Sequence, residues 1–271
     1  MKTQKSLPST KQQKPTLKNL IKASLRDFDS KCIHDFRIEI KKLKAAMKLI
    51  HTVDASFDYK KKFKTIRQIY KDLGAIREIQ LMLERFRATD NIFKPILRKK
   101  ITQILNEELK EYHALVVDNF DNSIIKTLLK VKKQVAKALK DLSSKDFKSY
   151  FKKRARQLEK QLDTLDISEK NMHDLRTFLK ELKLNARYEK KIAKKSLDKT
   201  DVKLSDLDDL QKWLGQWNDN VSLKQKLKEL ENALNPYNNE NEAILQFKTT
   251  LEVENCLIKR KVEKALKMDY V

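Results

Sequence analysis

The sequence predicts an all-α protein made of two pseudo-symmetric helical bundles, and three observations predict it. Gly occurs only 2 times and Pro 4 times in 271 residues, so turn-dense β folds, Gly-rich phosphate loops and dinucleotide fingerprints lack raw material. Hydrophobic residues make up 40% and charged residues 37%, which suits a continuous core wrapped in long helices with solvated outer faces. Apolar residues also recur every three or four positions along most of the chain, the period of a helix buried on one side.

Taken in order, residues 1–15 are polar, contain Pro8 and Pro15 and show no periodicity, so they are read as a mobile tail. Helical spacing begins at Thr16. Ile33, Phe36, Ile40, Leu43, Met47 and Ile50 fall on one face of an amphipathic helix, begun by Asp29 or Ser30 as N-cap. Further helices are expected at 57–87, 91–118, 122–140, 146–164, 169–195, 204–233 and 236–267, separated by clusters of Asp, Ser and Asn. Asn235-Pro236 suits an N-cap followed by the first helical position, and Asn91 to Pro95 places proline in a first turn. The connections are short, so neighbouring helices should run antiparallel.

The rarest residues expose an internal repeat. Gly74 and Gly215 are the only glycines, both follow Leu, and they lie 141 residues apart. Pro95 and Pro236 are also 141 apart. Upstream, HDFRIEIKKLK (34–44) aligns with HDLRTFLKELK (173–183) at an offset of 139. A two-residue difference in a connection reconciles the offsets, giving two homologous halves, 16–120 and 121–271. Glycine inside a helix costs about 1 kcal/mol relative to Ala, so LGAIRE and LGQWND are expected to use it to admit another helix or to bend.

On a helical wheel at about 100° per residue, with His34 at zero, Arg37, Lys41, Lys44 and Lys48 fall within roughly 80–100° of it, beside the apolar face. His173, Arg176, Lys180, Lys183 and Arg187 repeat the same spacings. A Lys-rich face is ordinarily just solvated. Here the stripe flanks the core face, and the second half keeps it while its neighbours drift: Lys42 becomes Glu181 and Glu39 becomes Phe178. Retention at selected positions indicates a shared task. Asp35 and Asp174 also repeat, as acids in a first turn do for the helix dipole.

The chemistry of the partner follows from charge. Lys and Arg number 61 against 38 Asp and Glu, a net +23, which calls for a polyanion bound with release of its counterions. Charge alone does not name the polyanion. Aromatics are 7% of the chain and none stands in the first stripe. Protonated His34 and His173 would add donors, so binding should tighten as pH falls through about 6.5. Cys32 and Cys256 have no CxxC spacing or neighbouring ligands, so neither a disulfide framework nor a metal site is expected. No apolar run is long enough for a membrane span or a secretory signal. A soluble, cytoplasmic protein is expected.

These motifs resemble the CHAD domain, the conserved histidine α-helical domain. Its two repeats are similar to HDFRIEIKKLK and MHDLRTFLKELK, and its Leu-Gly-x-x-Arg-Asp element is similar to LGAIRE (73–78) and LGQWND (214–219). The resemblance spans roughly 16–267. It implies two pseudo-symmetric bundles with a basic groove or pore that binds inorganic polyphosphate, a linear chain of charged oxygens without base edges that suits a row of cationic donors and needs no aromatic platform. Targeting to, or regulation of, polyphosphate granules is the expected role. The departures are Glu181 at a usually basic position, Leu184 where an aromatic is common, Arg187-Tyr188 one turn later, Arg77-Glu78 in one glycine element and Asn218-Asp219 in the other.

Two other readings compete. A basic helical repeat could bind the backbone of RNA or DNA, although no zinc-finger, RNP or basic-zipper pattern is present. A hydrolase of phosphoanhydrides would need a divalent metal on His34, Asp35, His173 and Asp174, in surroundings whose positive charge opposes it. Binding without catalysis and without a cofactor is the expectation.

Overall fold

The computed structural model describes residues 16–88, 93–120, 122–163, 168–197, 206–234 and 240–267. All the regular structure in them is helical, and none of these helices is long and apolar enough to cross a membrane. The expected tail, the Asn91 turn and the Asn235-Pro236 cap lie outside the described residues. Cys32 and Cys256 are free thiols.

Helix α1 (Leu17–Arg26) starts where the Thr16 hydroxyl accepts the Asn19 N–H at 3.2 Å. Phe28 then takes a positive φ of 47° and turns the chain into α2 (Ser30–Val53). Gln80 donates to the Phe28 carbonyl at 2.8 Å, and the Phe28 ring stacks on His113 at 3.8 Å, so partners on other helices hold this uncommon backbone. Asp29 is the N-cap of α2, its carboxylate accepting the Cys32 N–H at 2.7 Å. Asp58 caps α3 (Tyr59–Arg87) in the same way. Pro95 occupies the first position of α4 (Pro95–Asn119) after Lys94, which makes no side-chain cap.

Next come α5 (Asn122–Lys140), α6 (Ser144–Asp163) and α7 (Glu169–Ala186), the last capped by Ser168. The helix expected at 169–195 is divided: α7 stops at Ala186, and α8 (Lys190–Leu197) packs back against α6. Tertiary anchoring at Asn185 accounts for the break. Its buried amide donates to the Ala45 carbonyl of α2 at 3.1 Å and to the Tyr150 hydroxyl of α6 at 2.8 Å, while Tyr188 N–H folds back to the Asn185 carbonyl at 3.0 Å. Helices α9 (Leu207–Ala233) and α10 (Glu240–Lys267) complete the described chain as an adjacent pair.

Among the described residues three apolar cores organise the ten helices. The first gathers α1, α2, the N-terminal half of α3, and α5 around Ile21, Phe36, Ile40, Met47 and Ile66. The second gathers α6, α7, α8 and the N-terminal half of α9 around Phe151, Leu158, Leu179, Leu214 and Trp217. The third is shared between the halves: Met82 and Phe86 of α3 and Leu97 and Ile101 of α4 meet Leu227 and Leu230 of α9 and Phe247 and Leu251 of α10. Packing crosses the expected repeat boundary at 120/121. Ile125, Leu128, Val131 and Val135 bury α5 in the first core, because its apolar stripe faces α1, α2 and α3, and the change from one core to the other falls beside Leu139 and Leu142, which touch both.

Asn185→Ala removes the polar tie among α2, α6 and α7, taking a donor from the Ala45 carbonyl and from the buried Tyr150 hydroxyl. The expected loss is about 1–3 kcal/mol with helicity retained, measured by urea unfolding followed by circular dichroism.

Candidate functional site

A cavity of about 900 Å³ opens where α2 crosses α7, with α3 and α9 forming its other walls. Eight of the ten stripe residues line it: His34, Arg37, Lys41, Lys44 and Lys48 from α2, and His173, Arg176 and Lys180 from α7. Lys183 and Arg187 do not. The wheel treats both stripes as equally long, but α7 ends at Ala186 whereas α2 runs to Val53. Arg187 is thereby left as an exposed C-cap whose guanidinium lies 5.3 Å from the Tyr188 ring, and Lys183 turns outward to Asp208 of α9.

The structure adds residues that the stripes did not contain. Arg77 and Arg85 of α3 enter the cavity, together with Tyr70 and Glu78; on the opposing wall α9 presents Asn218 and Asp219. A wheel drawn on α3 puts them on one face, since Tyr70, Gly74, Arg77, Leu81 and Arg85 step by three or four, but does not say that this face meets α2. In all, eight Lys and Arg side chains face three carboxylates, Glu78, Glu181 and Asp219. Six of those cations come from α2 and α3, and two, Arg176 and Lys180, from α7.

Arg37 is the best-fixed cation. Its guanidinium donates to the Tyr70 carbonyl at 2.6 Å and lies over the Tyr70 ring at 4.5 Å. It passes directly over Gly74, where a Cβ would strike the guanidinium. Gly74 therefore admits a side chain, not the neighbouring helix or bend that the sequence suggested. Around the position of Gly215 a Cβ would meet nothing within 4 Å, and nothing in the structure explains that glycine.

Lys41 and Lys180, separated by the repeat offset of 139, stand in each other's field. Burial first, then the charges of Lys180, Arg37 and Arg176, push the Lys41 ammonium from its ordinary 10.5 down to about 7. Lys180 is pushed down as well, by burial and then by Arg176. Lys44 is lowered by burial and by Lys48, with Glu181 opposing. Glu181 itself is buried and bonded to two cations, Lys48 at 2.6 Å and Arg154 of α6. The acid at a position where the first half has Lys42 thus holds one end of the cavity wall together.

The two histidines differ in their surroundings. His34 is lowered from its ordinary 6.5 by burial and by Arg77, with Lys41 and Lys180 contributing. His173 Nδ1 instead lies 3.3 Å from Asn218 Oδ1, the counterpart of Arg77. For the free protein, the expected strengthening of the cationic cluster through about 6.5 is therefore moved to lower pH at His34, while Lys41 is brought down to about 7. Among the described residues no three His, Cys, Asp or Glu side chains gather as a metal site.

A family model described as CHAD domain matches residues 13–228. The chain belongs to the CHAD domain family. The match takes in both histidine stripes and both glycine elements, while α10 lies beyond it and still closes the second and third cores. A solved structure, the crystal structure of the CHAD domain from the plant Ricinus communis, is similar to this CHAD domain with a TM-score of 0.63 and 15% identity, over 92% of this chain and 88% of that one. At that identity the likeness concerns the fold. No curated protein matches the chain.

The depressed Lys41 sets a pH dependence of stability. Between about 7 and 10.5 the unfolded chain holds a proton on Lys41 that the folded CHAD domain has released, so stability rises with pH across that window; below it the repulsion is felt in full. Thermal unfolding of the ligand-free protein should show a higher Tm at pH 9 than at pH 7, and Lys41→Met should raise the Tm at pH 7 and flatten the dependence.

Proposed function

We propose that this CHAD domain binds inorganic polyphosphate in the cavity between α2, α3, α7 and α9, without hydrolysing it. The observation that carries the reading is the convergence of eight Lys and Arg side chains from three helices on one cavity. Cations placed this close repel one another until a polyanion enters, so the repulsion built into the empty site becomes attraction once it is filled. Arg37 is already oriented, and its remaining N–H groups can bond phosphate oxygens in pairs.

Nucleic acid is the poorer match. The one Phe, Tyr or Trp ring on the cavity wall, Tyr70, has Arg37 over a face, which leaves little aromatic surface beyond the two imidazoles for stacking bases. A phosphate chain presents no bases and loses nothing by this. Binding should also return a proton to Lys41, because an anion beside it favours the ammonium. Affinity is then greatest below about 7 and falls as pH rises above it.

Two experiments test the reading. Replacing Arg37, Lys41 and Arg176 together by Ala should weaken polyphosphate binding by several kcal/mol, on a scale of about 1.5–3 kcal/mol per charge-assisted hydrogen bond. Replacing Lys60, Lys61 and Lys64, exposed on α3 and outside the cavity, removes the same charge from the net +23 and should cost little. Equal losses in a titration at fixed salt would reduce the stripes to ordinary solvated faces. Separately, incubation with polyphosphate and magnesium should release no orthophosphate above background; metal-dependent turnover would overturn the binding-only reading, and displacement by RNA at equal phosphate content would favour the nucleic-acid one.

A further inference from the structure

The cavity accounts for one end of a longer basic surface. On α6, Lys145, Lys148, Lys152, Lys153, Arg156 and Lys160 are all exposed. At about 100° per residue they occupy an arc of roughly 140°, and at 1.5 Å per residue they extend over about 22 Å. Around Ser149 and Gln157 this face forms a shallow pocket of about 530 Å³ walled by Lys152, Lys153, Arg156 and Lys160.

Three features separate this face from an ordinary solvated one. Some lysines of the molecule are neutralised by acids, as half-buried Lys224 meets Glu252 at 2.7 Å and half-buried Lys248 meets Glu231 at 2.8 Å. Among the described residues, Lys148, Lys152, Lys153 and Arg156 have no acidic partner, and the helix's first acid, Asp146, is occupied with the Ser143 N–H at 2.9 Å. Every aromatic residue of α6, Phe147, Tyr150 and Phe151, is buried, so the face offers charge and no stacking surface. The decisive feature is continuity. Arg154 donates to Glu181 on the cavity wall and, at 3.0 Å, to Gln157 on the α6 face, so one side chain joins the two surfaces at the Lys48 end of the cavity.

We propose that the outer face of α6 is a second polyphosphate surface, which takes up the stretch of a long chain that emerges from the cavity past Arg154. The inference rests on the polyphosphate reading of the cavity and extends it to a preference for long chains. A short chain fills the cavity alone; a long one engages both surfaces, and the second contact is favoured because the first holds the chain nearby.

The test compares tripolyphosphate with polyphosphate of about one hundred units on the full chain. The triple variant Lys152→Ala, Lys153→Ala, Arg156→Ala should bind tripolyphosphate as the wild type does but lose about tenfold in affinity for the long chain, with a shallower salt dependence. Lys130→Ala, Lys133→Ala, Lys137→Ala on α5 is the control. It removes equal charge from another exposed lysine stripe, one that lines neither surface, and should leave both affinities near wild type. All replaced side chains are exposed, and circular dichroism checks that helicity is kept. Long-chain binding unchanged in the α6 variant, or lost equally in the α5 variant, overturns the inference while the cavity reading stands. Absence of tripolyphosphate binding by the wild type overturns the cavity reading and this inference with it. Duplex RNA, and not polyphosphate, released by the α6 replacements would overturn the assignment of occupant.

Discussion

The repulsion between Lys41 and Lys180 is the constraint around which the rest of the molecule is arranged. Two half-buried ammonium groups from the two halves share one cavity with Arg37 and Arg176, and nothing local to α2 or α7 favours bringing them together. The crossing is held from behind. Leu43 and Met47 anchor α2 in the first core while Leu49 of the same helix reaches the second, and Asn185 ties α7 to the α2 backbone. Charge that would push the helices apart is thus opposed by apolar burial on both flanks and by a buried hydrogen bond between them. The same repulsion leaves the cations poised for an anion that need not first assemble them.

The third core explains why the cavity stays open. Helix α3 is 29 residues long, about 43 Å at 1.5 Å per residue, and passes from one core to another: Leu73 and Ile76 belong to the first, Ile79 and Met82 to the third. Helix α9 does likewise, from Leu214 and Trp217 in the second core to Leu223 and Leu227 in the third. The residues these helices give the cavity, Arg77 and Glu78 on one and Asn218 and Asp219 on the other, sit at those changeovers. Beyond them Phe86, Phe93 and Phe247 pack with ring centroids 5.3–6.1 Å apart and clamp the helices together. The walls are fixed at both ends by apolar cores, and the charged residues sit at the changeover between them.

The helical class, nearly every helix and most of the site were legible because each is written in local spacing. Periodic apolar residues located α3, α5 and α9 to within a few positions, and Asp29 announced its own cap. Eight stripe residues reached the cavity because the wheel needs no knowledge of the partner helix. The failures share a cause: each depended on what lay opposite. The stop after Ala186 is imposed by Asn185 bonding to α2 and α6, neither of which is near in sequence. Gly74 makes room for an arginine 37 positions earlier. Arg77 and Arg85 stand on a helix whose basic face only becomes a wall once α2 packs beside it. Glu181 looked like erosion of a basic position, yet it is buried between Lys48 and Arg154, and its sign makes sense only with those two cations on the page.

The inequality between the halves bears on the kind of ligand. Arg77 corresponds to Asn218, Lys42 to Glu181, and Arg187 stands where Lys48 stands but lies outside the cavity, so cations crowd the α2–α3 side. A ligand with unlike ends, or with bases to be read, would hold particular partners at particular positions and resist such drift. A chain of identical phosphates imposes no such demand: any phosphate can sit against any cation, and what must persist is the density of positive charge along a path. The pairs His34 and His173, Arg37 and Arg176, and Lys41 and Lys180 line the cavity from α2 and α7, so under the proposed reading each half completes the path of the other. Farther from the crossing the halves differ: Arg77 corresponds to Asn218, and Lys42 to the Glu181 that fastens α6 to the site.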